Sequence, residues 1–242
     1  MEKTVSEAIA YRRSVRRYKN EEIDTEKVQK CLQNASIAPT SSNLQLWEFH
    51  HITSQNKIEE MSKACFNQGA AKSAKQLVVF VSRKDLWRKR AQANVEFLNK
   101  QFERPNLDAT LLKRKKQVNN YYKKIIPSIY TDFLGVLGLI KYITFQIIGI
   151  FRPIYRQARL SDMRIVAHKS TALAAQNFMI SMAAIGYDTC PMEGFDSKKV
   201  KQILGLPYGA EITMAIACGI RDDSGVYGPQ FRVPFEDVYF QL

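Results

Sequence analysis

Acid is what this sequence is short of. Its 242 residues carry 36 Lys and Arg against 23 Asp and Glu, a formal net charge of +13. That balance asks for an anionic partner: a nucleotide, a nucleic acid or an acidic membrane surface. Paired metal or disulfide ligands are missing too. Cys31, Cys65, Cys190 and Cys218 are scattered, with no Cys-x-x-Cys. This fits reduced thiols in a cytosolic protein better than a disulfide framework or a zinc site. His50, His51 and His168 lack metal-ligand spacing, so no metal is expected. No Gly-x-Gly-x-x-Gly follows a strand, which excludes a Rossmann site for a nicotinamide. There is no internal repeat, low-complexity tract or obvious linker. Residues 1–30 are polar and charged, so no signal peptide is expected, and the expected location is cytoplasmic.

What is present begins with Arg12-Arg13-Ser14-Val15-Arg16-Arg17-Tyr18. Arginine offers a planar fork of donors that matches phosphate oxygens two at a time, and serine adds a hydroxyl. The stretch reads either as an anion site or as a solvated basic surface. A second concentration of charge lies between Arg83 and Lys124, with 13 Lys and Arg against 4 Asp and Glu. It carries no groove-reading or base-stacking motif.

Periodicity predicts helices over 3–11, from Asp24 or Thr25 to before Pro39, over 57–65, through most of 86–124, over 170–185 and over 197–204. Strands are predicted over 48–53, 77–81 and 211–219, and a loop over 187–195. The run Phe133–Phe151 is strongly apolar but carries Lys141 at its middle. A central lysine is costly in a membrane span. The residues leave open a buried or lid helix, a peripheral membrane contact and a span. Prolines at 229 and 234 argue for an extended C-terminal arm, 229–242. The expected organisation is one domain, 1–242, with 86–160 as an inserted lid or cap.

Four separated pieces occur in one order: Arg12-Arg13-Ser14-x-Arg16, Pro39-x-Ser41-x-Asn43-x-Gln45-x-Trp47, Met192-Glu193-Gly194-Phe195 and Phe231-Arg232-Val233-Pro234. Together they resemble the nitroreductase family of FMN flavoproteins. The resemblance implies an α+β fold, a central mostly antiparallel sheet flanked by helices, in an intertwined homodimer. It implies FMN as cofactor, NADH or NADPH as reductant, and a small-molecule acceptor such as a nitroaromatic or quinone, reduced in ping-pong order. On this resemblance Arg12, Ser14 and Arg232 would hold the FMN phosphate, with Arg13 and Gln230 beside them. Arg16 would face the pyrimidine edge of the flavin, together with Asn67. Met192, Glu193 and Gly194 would lie near flavin N5. Pro39, Thr40, Ser41 and Asn43 would reach the flavin of the other subunit. No side chain is expected to act as a nucleophile, because the flavin does the chemistry.

The sequence departs from the family pattern at three places. Leu46 stands where proline is common, Ala70 where some members have a ring-edge lysine, and Gln230 where some have a second phosphate-binding lysine. Two other readings stay open. One is a flavin-dependent reductive dehalogenase, although 94–124 lacks that lid motif at its spacing. The other is a basic protein that binds nucleic acid or a membrane surface.

Overall fold

The computed structural model describes residues 2–103, 108–132 and 135–242. Helix α1 (Val5–Tyr11) starts from a capping box in which Thr4 and Glu7 satisfy each other's backbone N–H groups. Asp24 caps α2 (Thr25–Ser36) by accepting from the N–H of Glu26 at 2.8 Å and of Lys27 at 3.3 Å. Then follow β1 (Trp47–Ile52), α3 (Gln55–Ala64), the short α4 (Gly69–Ser73) and β2 (Gln76–Ser82). The inserted region contributes α5 (Trp87–Lys100), α6 (Ala109–Asn120), a π turn at Tyr121–Ile125, α7 (Ile126–Tyr130) and α8 (Val136–Phe151). The chain ends with α9 (Leu160–Ala184), β3 (Asp188–Met192), α10 (Ser197–Leu204) and β4 (Glu211–Gly219).

The strands form one sheet in the order β1-β2-β4-β3, antiparallel at every pairing. β2 is central and buried at all seven positions, which is why its apolar run is continuous rather than alternating. Leu77, Val79 and Val81 face a core shared with Ile58, Met61 and Val200 of α3 and α10. Val78 and Phe80 face the other side, against Val28 and Cys31 of α2 and Phe178 and Met182 of α9. Covering both faces with helices makes the α+β layer arrangement. A third cluster (Leu44, Leu46, Ala91, Ile126, Tyr130, Met163, Ala167) seats the inserted helices on the 44–46 loop and the front of α9.

Three expectations change. The 170–185 helix begins ten residues earlier, at Leu160, because Asp162 accepts from the backbone N–H of Arg159 at 2.9 Å and starts it there. Its small residues Ala174, Ala175 and Ala183 are already buried inside this chain, so they are not a free surface for a partner helix. Residues 188–192, read as loop, form strand β3 against β4, and Pro191 sits in it at the sheet edge. The apolar run 133–151 does become a helix, but a largely exposed one. Phe133 and Leu134 lie outside the described residues. Among the described residues no helix is long and apolar enough to cross a membrane.

Candidate functional site

After α1 the chain turns extended at Arg12 and runs along the edge of β3. The Val15 N–H donates to the Thr189 carbonyl at 3.1 Å, and the Arg16 N–H donates to the Gly225 carbonyl at 2.7 Å. Strand-like alternation buries Val15 completely and leaves Ser14 and Arg16 exposed on the other side. Tyr18 anchors the far end, its buried hydroxyl donating to the Ala217 carbonyl at 2.9 Å. The arginine stretch is therefore fixed in the sheet by its backbone, and among the described residues the Arg12, Ser14 and Arg16 side chains form no hydrogen bond.

Those side chains meet the far end of the chain. Arg12, Arg13, Ser14 and Arg16 line one cavity of about 220 Å³ with Tyr227, Gln230 and Arg232. Arg13 holds the returning segment by donating to the Gly228 carbonyl at 2.8 Å. Among the described residues no carboxylate lines this cavity, and none of its four arginines forms an ion pair. Four guanidinium groups and a hydroxyl with no acid between them fit a phosphate. The volume is below the roughly 300–1,000 Å³ of an ordinary small-molecule pocket. The cavity of one chain is thus sized for a small anionic group rather than a whole cofactor.

A second corner lies beside it. Gly69 approaches the Arg16 carbonyl so closely that a Cβ there would stand 3.0 Å from that oxygen. Gln68 reaches across and donates to the Gly194 carbonyl at 2.6 Å, tying the end of β3 to the start of α4. Phe66 and Asn67 both hold positive φ, 55° and 54°, a conformation uncommon outside glycine and mildly strained. The Met192 side chain is buried in the core, while Glu193 and Gly194 are exposed. Asn67 lines a separate shallow cavity with Ser62, Lys63 and Lys72, not the arginine cavity.

Residues 39–43 stand apart from the arginines in one chain; none lines their cavity. Their loop is wound unusually tightly, with Ser42, Asn43 and Gln45 at φ of 54°, 51° and 48°. The inserted helices brace it. Asn43 donates to the Asn94 side-chain oxygen at 2.7 Å, and Asn94 returns a bond to the Asn43 carbonyl at 2.9 Å. The Tyr122 hydroxyl donates to the Ser42 carbonyl at 3.0 Å, and the Tyr121 and Ser42 hydroxyls lie 2.7 Å apart. The Ser41 N–H donates to Ser170 at 3.4 Å. Strain held by this many contacts is characteristic of a functional loop.

Sequence reasoning missed the support beneath the arginines. Arg221 clamps Asp188 on β3, its Nε donating to Oδ1 at 2.8 Å and its backbone N–H donating to Oδ2 at 2.9 Å. The Asp188 side chain is almost wholly buried. No local motif marks this pair; only the β3–β4 register brings 188 and 221 together. Next along β3, burial pushes the Cys190 thiol up, against the opposing pull of Arg16 and Arg12. A protonated, buried thiol is inert, as packing rather than reactivity requires. Trp47 is likewise core, stacked on Phe49. His168 is structural, held by Thr213 at 2.9 Å and Glu211 at 3.3 Å.

An acid-free arginine cradle thus sits at the edge of a helix-covered antiparallel sheet in an α+β fold. The nitroreductase family model matches residues 9–220, and the chain belongs to that family. It is an oxidoreductase that works with FMN and NAD(P)H. Protein DrgA of Synechocystis sp. is 27% identical over 220 residues, covering 90% of this chain and 84% of its own. NADH dehydrogenase of Thermus thermophilus is 25% identical over 227 residues, covering 94% and 90%. A solved structure from Exiguobacterium sibiricum, in complex with FMN, shares the fold with a TM-score of 0.67 at 21% identity, covering 99% of this chain and 98% of that one.

Proposed function

We propose that the chain reduces a flat, electron-poor small molecule such as a nitroaromatic or a quinone, in ping-pong order with NAD(P)H, from a site completed by a second copy of itself. The observation that carries this reading is the cavity where Arg12, Ser14 and Arg232 converge with no acid among them. These three would hold the FMN phosphate, with Arg13 and Gln230 beside them. FMN held there would supply the redox chemistry between the nicotinamide and the acceptor. Arg16, exposed and held by its backbone, would place positive charge at the flavin edge, where it favours the reduced form. Gly194, steadied by Gln68, would present backbone groups near the reacting face. Asn67 and Glu193 would complete the near wall.

Pro39, Thr40, Ser41 and Asn43 would form the far wall, contributed to the partner's flavin. Their separation from the arginine cavity, and the small volume of that cavity, support a two-subunit site. The whole chain is read as one domain, with 86–160 as an insertion whose α5 and π turn brace that wall. The expected setting is the cytoplasm.

Stopped-flow spectroscopy tests the reading. Purified protein should be yellow and release FMN, and its flavin should be bleached by NADH or NADPH. Reoxidation should then follow on mixing with a nitroaromatic or a quinone, with halophenols in the same panel. A colourless preparation that gains no flavin absorbance on mixing with FMN would overturn it.

A further inference from the structure

Helix α8 carries an apolar stripe that nothing among the described residues covers. Val136, Leu139, Ile140, Ile143, Ile147, Ile150 and Phe151 are all exposed, Ile150 to 76% and Phe151 to 82%. At 3.6 residues per turn these seven fall within an arc of about 120°, the width of one apolar face. The opposite face is in use. Gly138 packs on the backbone of Arg159 and Leu160, and Asp132 accepts from the Gly138 N–H at 2.8 Å. Arg159 lies 3.6 Å above the Tyr142 ring, Lys141 is bonded to the Thr131 carbonyl, and Arg156 to the Gly149 carbonyl. The helix is thus held from behind with its greasiest side outward. Six of the seven side chains are isoleucine, leucine or valine.

Charge identifies the occupant. From Ala109 to Arg159 the sequence has ten Lys and Arg and a single acid, Asp132, which is spent on the Gly138 N–H. Lys113, Lys116, Lys123 and Lys124 border one concave surface. A second copy of this chain would bring the same cations to a shared apolar contact. An anionic lipid surface supplies the opposite charge and an apolar interior together. The helix is 16 residues, about 24 Å long, against a hydrocarbon core of about 30 Å, so it suits lying in the interface rather than crossing it.

We infer that α8 docks this protein on an anionic membrane surface, with the stripe in the acyl region and the cations of 109–159 at the headgroups. This stands on the helix alone and does not depend on the flavin site. Vesicle flotation at physiological salt tests it, using the full chain and two compositions: phosphatidylcholine alone, and equal parts phosphatidylcholine and phosphatidylglycerol. The protein should float with the mixed vesicles and at least tenfold less with the neutral ones. The double variant Ile143→Asp/Ile147→Asp should lose at least tenfold of that binding, with its circular dichroism and melting unchanged. Ile147→Trp, which keeps the stripe apolar, should keep binding and show a blue-shifted, vesicle-dependent emission. Absence of flotation, equal binding to neutral vesicles, or binding indifferent to the aspartates would overturn the inference. So would loss of a dimer in the aspartate variant, which would assign the stripe to a second copy.

Discussion

Asn43 and Asn94 exchange hydrogen bonds across 51 residues of sequence, at 2.7 Å and 2.9 Å, and so lock a strained loop to the first helix of the insertion. Asn94 also donates to the Arg90 carbonyl at 2.9 Å, so its rotamer is set from inside α5. Asn94→Ala should free the loop. Leaving a partly buried polar group unpaired costs about 1–3 kcal/mol. Hydrogen exchange across 40–46 should therefore rise several-fold or more, while exchange in β2 stays unchanged. Unaltered exchange at 40–46 would mean that the loop holds its shape without the insertion.

Arg232→Ala should weaken FMN binding about tenfold or more, since one charge-assisted bond is worth about 1.5–3 kcal/mol. The flavin spectrum at saturation should stay as it was. A flavin titration at fixed salt reads this, and an unchanged dissociation constant would take Arg232 out of the phosphate site.

Gly225→Ala attacks the same site through the backbone. A Cβ at 225 would stand 2.4 Å from the Arg17 carbonyl and 2.9 Å from the Asp222 carbonyl, both main chain. The 222–226 turn would have to move away from Arg16. The cost should be about 1–3 kcal/mol, as for overpacking elsewhere, visible as a lower melting temperature. Melting at the wild-type temperature would show that the turn is free to shift.

The shared site makes a mass prediction. Sedimentation should give about twice the 27.8 kDa of one chain. A clean monomer that still retains FMN would contradict a two-subunit site.

Acid should weaken the fold at β1. Burial lowers the His51 pKa, and its contact with Gln76 at 2.7 Å only partly opposes this. A group whose folded pKa is depressed contributes its stability above its unfolded pKa, about 6.5 for histidine. That contribution is lost as pH falls through the folded value. Melting temperature should therefore drop below about pH 6.5, and His51→Gln should flatten that part of the profile. Identical profiles for the two proteins would place the acid sensitivity elsewhere.

Much of the framework was legible in the sequence, because its signals are local. The continuous run at Leu77–Val81 and the Asp24 cap each act within one turn or strand. The candidate site was marked by short motifs at the two ends of the chain, and Arg12 and Arg232 line one cavity. Three things were not legible. β3 contains a proline and is only five residues long, so its identity comes from its pairing with β4. The Asp188–Arg221 clamp depends on that same register. The left-handed turns at Ser42, Gln45 and Phe66 fall on residues that rarely adopt them, and only the surrounding bonds impose them. Asn43 and Asn67 carried a weak signal, since asparagine tolerates that conformation better than most.

The arginine cavity is built from residues 12–16 and 226–232, which Arg13 and Gly228 connect across 215 positions. The two halves of that cradle are therefore made far apart in time. The final strand of the sheet ends at Gly219, only a few residues before the second half of the cradle. A ligand that binds only the finished cradle then stabilises the folded chain by mass action. It cannot serve as a template for the first strands to pair. Cofactor loading therefore waits on the pairing of these two distant segments.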